Sequence, residues 1–197
     1  MGLFASFRKD PVDDIGAGIA ALNAHVGSWQ VRSRSAQEKS KVQKTWLDLL
    51  KRAQQFYEQH HDREEDGLAL LAELYRQGHN MDLPNCAQNA AQALQVGLAK
   101  YPDSDRLNRA AVAFFLSVPN GLAMAEASLR KLRARAGAGS DEFVERALVH
   151  LHLQSNQPQE ALKQANAYIG RFGAASDVAA IKAGIESGTV QVIRTDA

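Results

Sequence analysis

Three alanines, Ala90, Ala125 and Ala161, each open the same apolar pattern at helical spacing, and they stand 35 and 36 residues apart. Leu94 and Gly97 follow the first, Leu129 and Leu132 the second, Ala165 and Tyr168 the third. Upstream, superposing Ala147 on Ala111 also places Leu148 on Val112, Leu151 on Phe115 and Asn156 on Asn120. A period in this range marks a repeated pair of helices. One such pair cannot bury its own apolar face, so a chain written this way must stack its pairs to make a core. Small residues at fixed points let paired helices approach closely, while the larger ones interlock with the next pair.

Helical patterns cover about 36–60, 65–78, 85–100, 104–117, 121–135, 140–154, 158–171 and 176–187. The breaks between them fall at "HNMDLPN", Pro102, Pro119-Asn120, Gly137-Ala138-Gly139 and Asn156-Gln157-Pro158, all turn-forming chemistry. Ser35 with Glu38 makes a capping box, in which each side chain satisfies an exposed backbone N–H at a helix start. The helix after it puts Val42, Trp46, Leu49, Leu50, Ala53, Phe56 and Tyr57 on one face. Asp62 with Glu65 repeats the signal before Leu68, Leu71, Leu74 and Tyr75, and Gly78 reads as that helix's stop. Earlier, Ile15, Ile19, Leu22 and Val26 keep helical spacing, but Gly16 and Gly18 weaken the pattern. "SWQVRSRS" (28–35) reads as extended, and Val190 alternating with Val192 is a weak strand signal that could pair with it. The expected fold class is all-α.

These residues resemble the tetratricopeptide repeat. Its pattern of a large apolar residue, Leu, a small residue and Tyr on the first helix falls on Leu68, Leu71, Ala72 and Tyr75. The second-helix roles, closing with Pro, fall on Ala90, Leu94, Gly97 and Pro102. In the next unit the roles go to Ala111, Val112, Phe115, Ala125, Leu129 and Leu132, and in the third to Leu148, Val149, His152, Ala161, Ala165 and Tyr168. The chain departs from the pattern by extra residues around "HNMDLPN" and by the missing Pro in both later units. The resemblance implies a short right-handed α-solenoid of antiparallel helix pairs. Repeats would occupy about 65–102, 103–138 and 139–174, preceded by the helix at 36–60. Residues 1–34 would form an N-terminal segment, partly flexible or a short helix, and 175–197 a capping helix with an extended tail.

Composition narrows the function. The 197 residues carry 23 basic and 22 acidic side chains, net +1, so no global field draws the chain to nucleic acid. "LRKLRAR" (129–135) is the densest basic stretch, and at a helix C-terminus those charges complement the dipole. No apolar run is long enough to span a membrane, and "RKDPVDD" interrupts any secretory signal core. One cysteine, Cys86, fits a reducing compartment, and the expected location is cytoplasmic. Met1-Gly2-Leu3-Phe4-Ala5-Ser6 matches the N-myristoylation pattern.

Catalytic and metal motifs are weak. His150 and His152 sit two apart, on opposite sides of a helix, so they cannot share an ion; His152 should be buried in the repeat seam and His150 should face a groove. His60, His61, Asp62, Glu64 and Glu65 read as a solvated helix corner. Cys86 at a helix start should have a lowered pKa, yet packing is its expected role. No phosphate-binding glycine loop or nucleophile elbow is present. The expectation is a protein that is not an enzyme, with no cofactor and no metal.

The resemblance implies that first helices line a concave groove that takes a peptide or helix of a protein partner. Glu73, Arg76, Gln77, Arg109, Arg146, His150 and Gln154 would then point into it, the arginines gripping carboxylates. Two alternatives stand beside this one: a self-assembling homo-oligomeric module, and a membrane-peripheral adaptor anchored at Gly2. Nucleic acid is not an expected partner.

Overall fold

In the computed structural model, which describes residues 9–27, 35–137 and 139–189, every regular element among those residues is helical. The helices are α1 (Pro11–Val26), α2 (Ala36–Gln59), α3 (Glu64–Asn80), α4 (Cys86–Lys100), α5 (Asp105–Phe115), α6 (Leu122–Ala136), α7 (Glu142–Gln154), α8 (Pro158–Phe172) and α9 (Ser176–Glu186). The extended readings at 28–34 and 190–192, and Gly2, lie outside the described residues. The chain divides into two compact units, residues 1–102 and 103–197.

In the first unit, α1 forms despite its glycines. Asp10 caps it by accepting from the Val12 N–H at 2.8 Å, and Pro11 starts it with a preset φ. Val12, Ile15, Ile19, Leu22 and Val26 are all buried against α2 and α3. A Cβ on Gly18 would stand 2.6 Å from Leu49 Cδ2, so the residue that weakens the helix locally also leaves room for the Leu49 side chain of α2.

At the start of α2, Ser35 Oγ accepts from the Glu38 N–H at 3.1 Å, and the face read from sequence is the buried one. Helix α3 starts close to the expected position, at Glu64, but without the expected cap. His61–Arg63 is a 3-10 turn, and Asp62 makes no cap. Glu64 accepts instead from Tyr101 Oη at 2.9 Å and from Lys100. The helix ends at Asn80, two residues past Gly78 and close to the expected stop. A Cβ on Gly78 would meet Cys86 Sγ at 2.5 Å and Trp46 Cζ2 at 2.7 Å, so Gly78 is where α2 and α4 press closest on α3. With Glu64 beside Tyr101 and Gly78 beside Cys86, α3 and α4 run in opposite directions.

In the second unit, α5 packs on α6, α6 on α7, α7 on α8 and α8 on α9. Ser104 caps α5 and Asp141 caps α7. The buried core includes two small clusters, one of Val112, Leu129, Leu132, Val144, Leu148 and Leu151 and one of Val149, Ala165, Tyr168 and Val178. Glu145 is buried between them in a polar knot. It accepts from the Gly139 N–H at 2.9 Å and from Gln164 Nε2 at 2.6 Å, while Arg171 donates to the Gly139 carbonyl. Gly139 has φ +77°, and a Cβ on it would collide with the Arg171 guanidinium.

Three turns share one device. Asn85, Asn120 and Asn156 have φ of 62°, 59° and 57°, the left-handed conformation that asparagine tolerates better than other side chains with a Cβ. Each stands five residues before a fully buried alanine: Ala90, Ala125 and Ala161. The helices that carry those alanines end at Tyr101-Pro102, at Gly137 with φ 83° and at Gly173 with φ 89°.

Candidate partner-binding surface

The seven residues assigned to a groove divide between the two units, and most already hold a partner within the chain. Glu73, Arg76 and Gln77 lie on the side of α3 that α1 covers. Arg76 donates to the Gly27 carbonyl at 2.9 Å, to Asn23 Oδ1 at 3.1 Å and to Glu73. Gln77 has no exposed surface and donates to the Ile19 carbonyl at 3.0 Å and to Asn23 Oδ1 at 2.9 Å. Asn80 adds a bond to the Val26 carbonyl at 2.8 Å. Arg76 and Asn80 therefore satisfy the Gly27 and Val26 carbonyls, which the end of α1 leaves without helical partners, and Gln77 bonds the body of α1 at Ile19. Burial opposes the charge on Arg76, but Glu73 outweighs it and raises the guanidinium's pKa. For Arg76 and Gln77 the expectation of an open groove gives way to a covered seam, because α1 supplies the apolar face that lies on them.

In residues 103–197 the assigned side chains join α5 to α7 and α7 to α9. Arg109 on α5 bonds Asp105 Oδ2 at 2.6 Å, pairs with Asp141 at the start of α7, and lies 5.1 Å over the Phe143 ring. That guanidinium, together with the Val144 N–H, holds the Asp141 carboxyl below its ordinary range. Arg146 Nε and His150 Nε2, one turn apart on α7, both bond Asp177 Oδ2 on α9, at 2.9 Å and 2.8 Å. Burial alone would raise the Asp177 pKa, but the bonds from Arg146 and His150 hold it down at about 2. Gln154 donates to the Leu116 carbonyl at the end of α5, at 2.9 Å.

The carboxylates were the missed half of this arrangement. Asp105, Asp141 and Asp177 are spaced by 36 residues, in nearly the register of the alanines, and each stands at the start of a helix. That spacing was visible in the sequence. Tyrosine makes a comparable tie, Tyr101 to Glu64 and Tyr168 to Glu142, each joining the end of one helix to the start of its neighbour.

Two other expectations change. Cys86 does open α4, but burial pushes its thiol pKa up, so desolvation wins over the helix terminus. His152 is half-exposed and bonds Gln157 Oε1 at 2.9 Å, at the turn instead of in a seam. In the basic stretch, Arg130 pairs with Glu126 and Arg135 donates to the Asp103 carbonyl at 3.0 Å. Lys131 and Arg135 help to line a hollow of about 390 Å3, together with Asp103 and Asn108. Among the described residues no three His, Cys, Asp or Glu side chains converge as a metal site, and no helix is long and apolar enough to cross a membrane. Comparison with protein-family models, with curated proteins and with solved structures returned no match.

Proposed function

We propose that the chain is a short tetratricopeptide-like array of three helix pairs, α3 with α4, α5 with α6 and α7 with α8. It works without catalysis, in the cytoplasm, as a docking module for a peptide or helix of a protein partner. One observation carries this reading. A left-handed asparagine followed five residues later by a fully buried alanine occurs three times, in steps of 35 and 36 residues. Turn geometry and close packing are independent demands, and a repeated hairpin requires both at the same register.

On this reading the first helices present the docking face. In residues 1–102 the side chains on that face support α1, so docking falls to residues 103–197. There Arg109, Arg146 and His150 alternate with Asp105, Asp141 and Asp177 as a mixed strip of charge. Such a strip selects partners by complementary charge order more than by raw affinity.

A charge exchange tests the docking face. The variant Arg146→Asp with Asp177→Arg keeps an ion pair between α7 and α9 but reverses the order of charge on the surface. Its melting temperature should fall only modestly, by the lost bond between His150 and Asp177, while the proteins captured from native lysate by the parent should be lost. A swapped chain that still captures every one of them would overturn the reading.

A further inference from the structure

The three left-handed asparagines share a conformation but not a chemistry. Asn85 is followed by Cys86, Asn156 by Gln157 and Asn120 by Gly121. Of the chain's eight asparagines, Asn120 is the one that precedes a glycine. The fold demands both members of that pair. Asn120 holds φ at 59°, which excludes most side chains with a Cβ. A Cβ on Gly121 would stand 2.1 Å from the Phe115 carbonyl oxygen and 2.8 Å from its carbon, and these main-chain atoms at the end of α5 have little room to give.

An asparagine before a glycine can react with its own backbone. The glycine nitrogen reaches the asparagine Cγ by closing a five-membered ring, and glycine has no side chain to block the approach or stiffen the chain. The folded turn keeps these atoms apart. A left-handed residue, with ψ about +47°, turns the next nitrogen away from its own side chain. Gly121 is also buried, and its N–H donates to the Val118 carbonyl at 3.3 Å, longer than most such bonds. The turn itself is lightly held. Ser117, Pro119 and Asn120 are exposed, and α6 starts without the side-chain cap that Ser104 gives α5 and Asp141 gives α7. Exposed turns of this kind open locally while the helices beside them stay folded.

We infer that Asn120-Gly121 is a site of spontaneous deamidation, reached when the turn between α5 and α6 opens. The Gly121 nitrogen bonds to Asn120 Cγ, the Cγ–Nδ2 bond breaks, and ammonia leaves with the proton that the nitrogen gives up. Water then adds to the cyclic imide. Opening of the new N–Cγ bond gives aspartate, and opening of the original peptide bond gives isoaspartate. Both products place a carboxylate in the turn, and isoaspartate adds a carbon to the main chain. Ala125, fully buried five residues on, is seated by that turn, so the conversion loosens α6 within residues 103–197. The site stands independently of the docking reading, since it rests on the turn and not on any partner.

The experiment incubates the full chain in mildly alkaline buffer, folded and unfolded in urea, and follows every asparagine-containing peptide by mass spectrometry. In the folded chain the amide-to-acid mass gain should appear first at Asn120, and more slowly than in urea. Hydroxylamine, which cleaves at the Asn-Gly imide, should cut between Asn120 and Gly121, again faster in urea. The deamidated chain, separated by ion exchange, should melt below its parent. Asn120→Gly keeps the positive φ and lacks the amide, so it should show neither mass gain nor cut there. A different asparagine changing first in the folded chain overturns the inference. So does conversion of Asn120 at equal rates folded and unfolded, since the turn would then gate nothing. A folded chain that keeps Asn120 intact while urea converts it fully overturns it as well, as does a deamidated chain that melts like the parent.

Discussion

Gln77 in residues 1–102 and Gln154 in residues 103–197 each donate an amide N–H to a main-chain carbonyl of another helix, at 3.0 Å and 2.9 Å. Gln77 does it with no exposed surface and Gln154 does it half-exposed. The difference is α1. Where an amphipathic helix lies over the polar side of α3, the side chains there become internal fasteners. On α5 and α7, similar side chains stay partly in water and tie the helices by ion pairs. The same residue types are thus interior in one unit and surface in the other, and the covering element decides which.

The largest effect should separate the two units at their arginines. The Arg76 side chain is 7% exposed and its partner Glu73 20%, against 48% for Arg146 and 30% for Asp177. Arg76→Ala strands a mostly buried carboxylate and the Gly27 carbonyl, for a loss of about 3 kcal/mol. Arg146→Ala should cost under about 1 kcal/mol, as exposed pairs do. Both tryptophans, Trp29 and Trp46, belong to residues 1–102, so indole fluorescence in a urea titration reads that unit alone while circular dichroism reads both. Equal losses for the two variants would break the comparison.

Acid supplies the next test. The folded pKa of Asp177, about 2, lies below its ordinary value of 3.8. Its contribution is therefore whole above pH ~4 and is lost as pH falls towards 2, with a ceiling near 2 kcal/mol before solvent screening. Asp177→Asn should flatten the pH dependence of melting across that window, followed by far-UV circular dichroism. Identical slopes for the variant and its parent would remove Asp177 from the account of the second unit.

What could be read in advance follows from how local each signal is. The start of α2 is settled by Ser35 and Glu38 within one turn, and its buried face by a seven-residue apolar pattern of which all but Tyr57 are buried, so both were legible. The Asp62–Glu65 signal has the same local chemistry, yet His61–Arg63 forms a 3-10 turn and Asp62 caps no helix. Gly78 lies two residues inside the end of α3, and there Trp46 and Cys86 press on it from two other helices, which no local spacing shows. The positions facing away from the core on α3, α5 and α7 were also legible from periodicity. Whether such a position meets water or α1 depends on where a helix some fifty residues upstream comes to rest, and no spacing within α3 encodes that.

The smallest effect concerns what the units have in common. Replacing an asparagine held at φ near 60° by alanine puts a Cβ against the following carbonyl without asparagine's local hydrogen bonding, at about 1 kcal/mol. Glycine at the same place should change stability by only a few tenths, since it has no Cβ to clash. Asn85 tests this in residues 1–102, and Asn120 and Asn156 test it in residues 103–197. Matching losses for the three alanine variants, each recovered by glycine, mean that the turns are equivalent wherever α1 happens to lie. A cost confined to Asn120 and Asn156 would show that α3 and α4 are held by Gly78, Cys86 and Trp46 whatever the turn prefers. The two units would then differ in how their hairpins close as well as in what covers them.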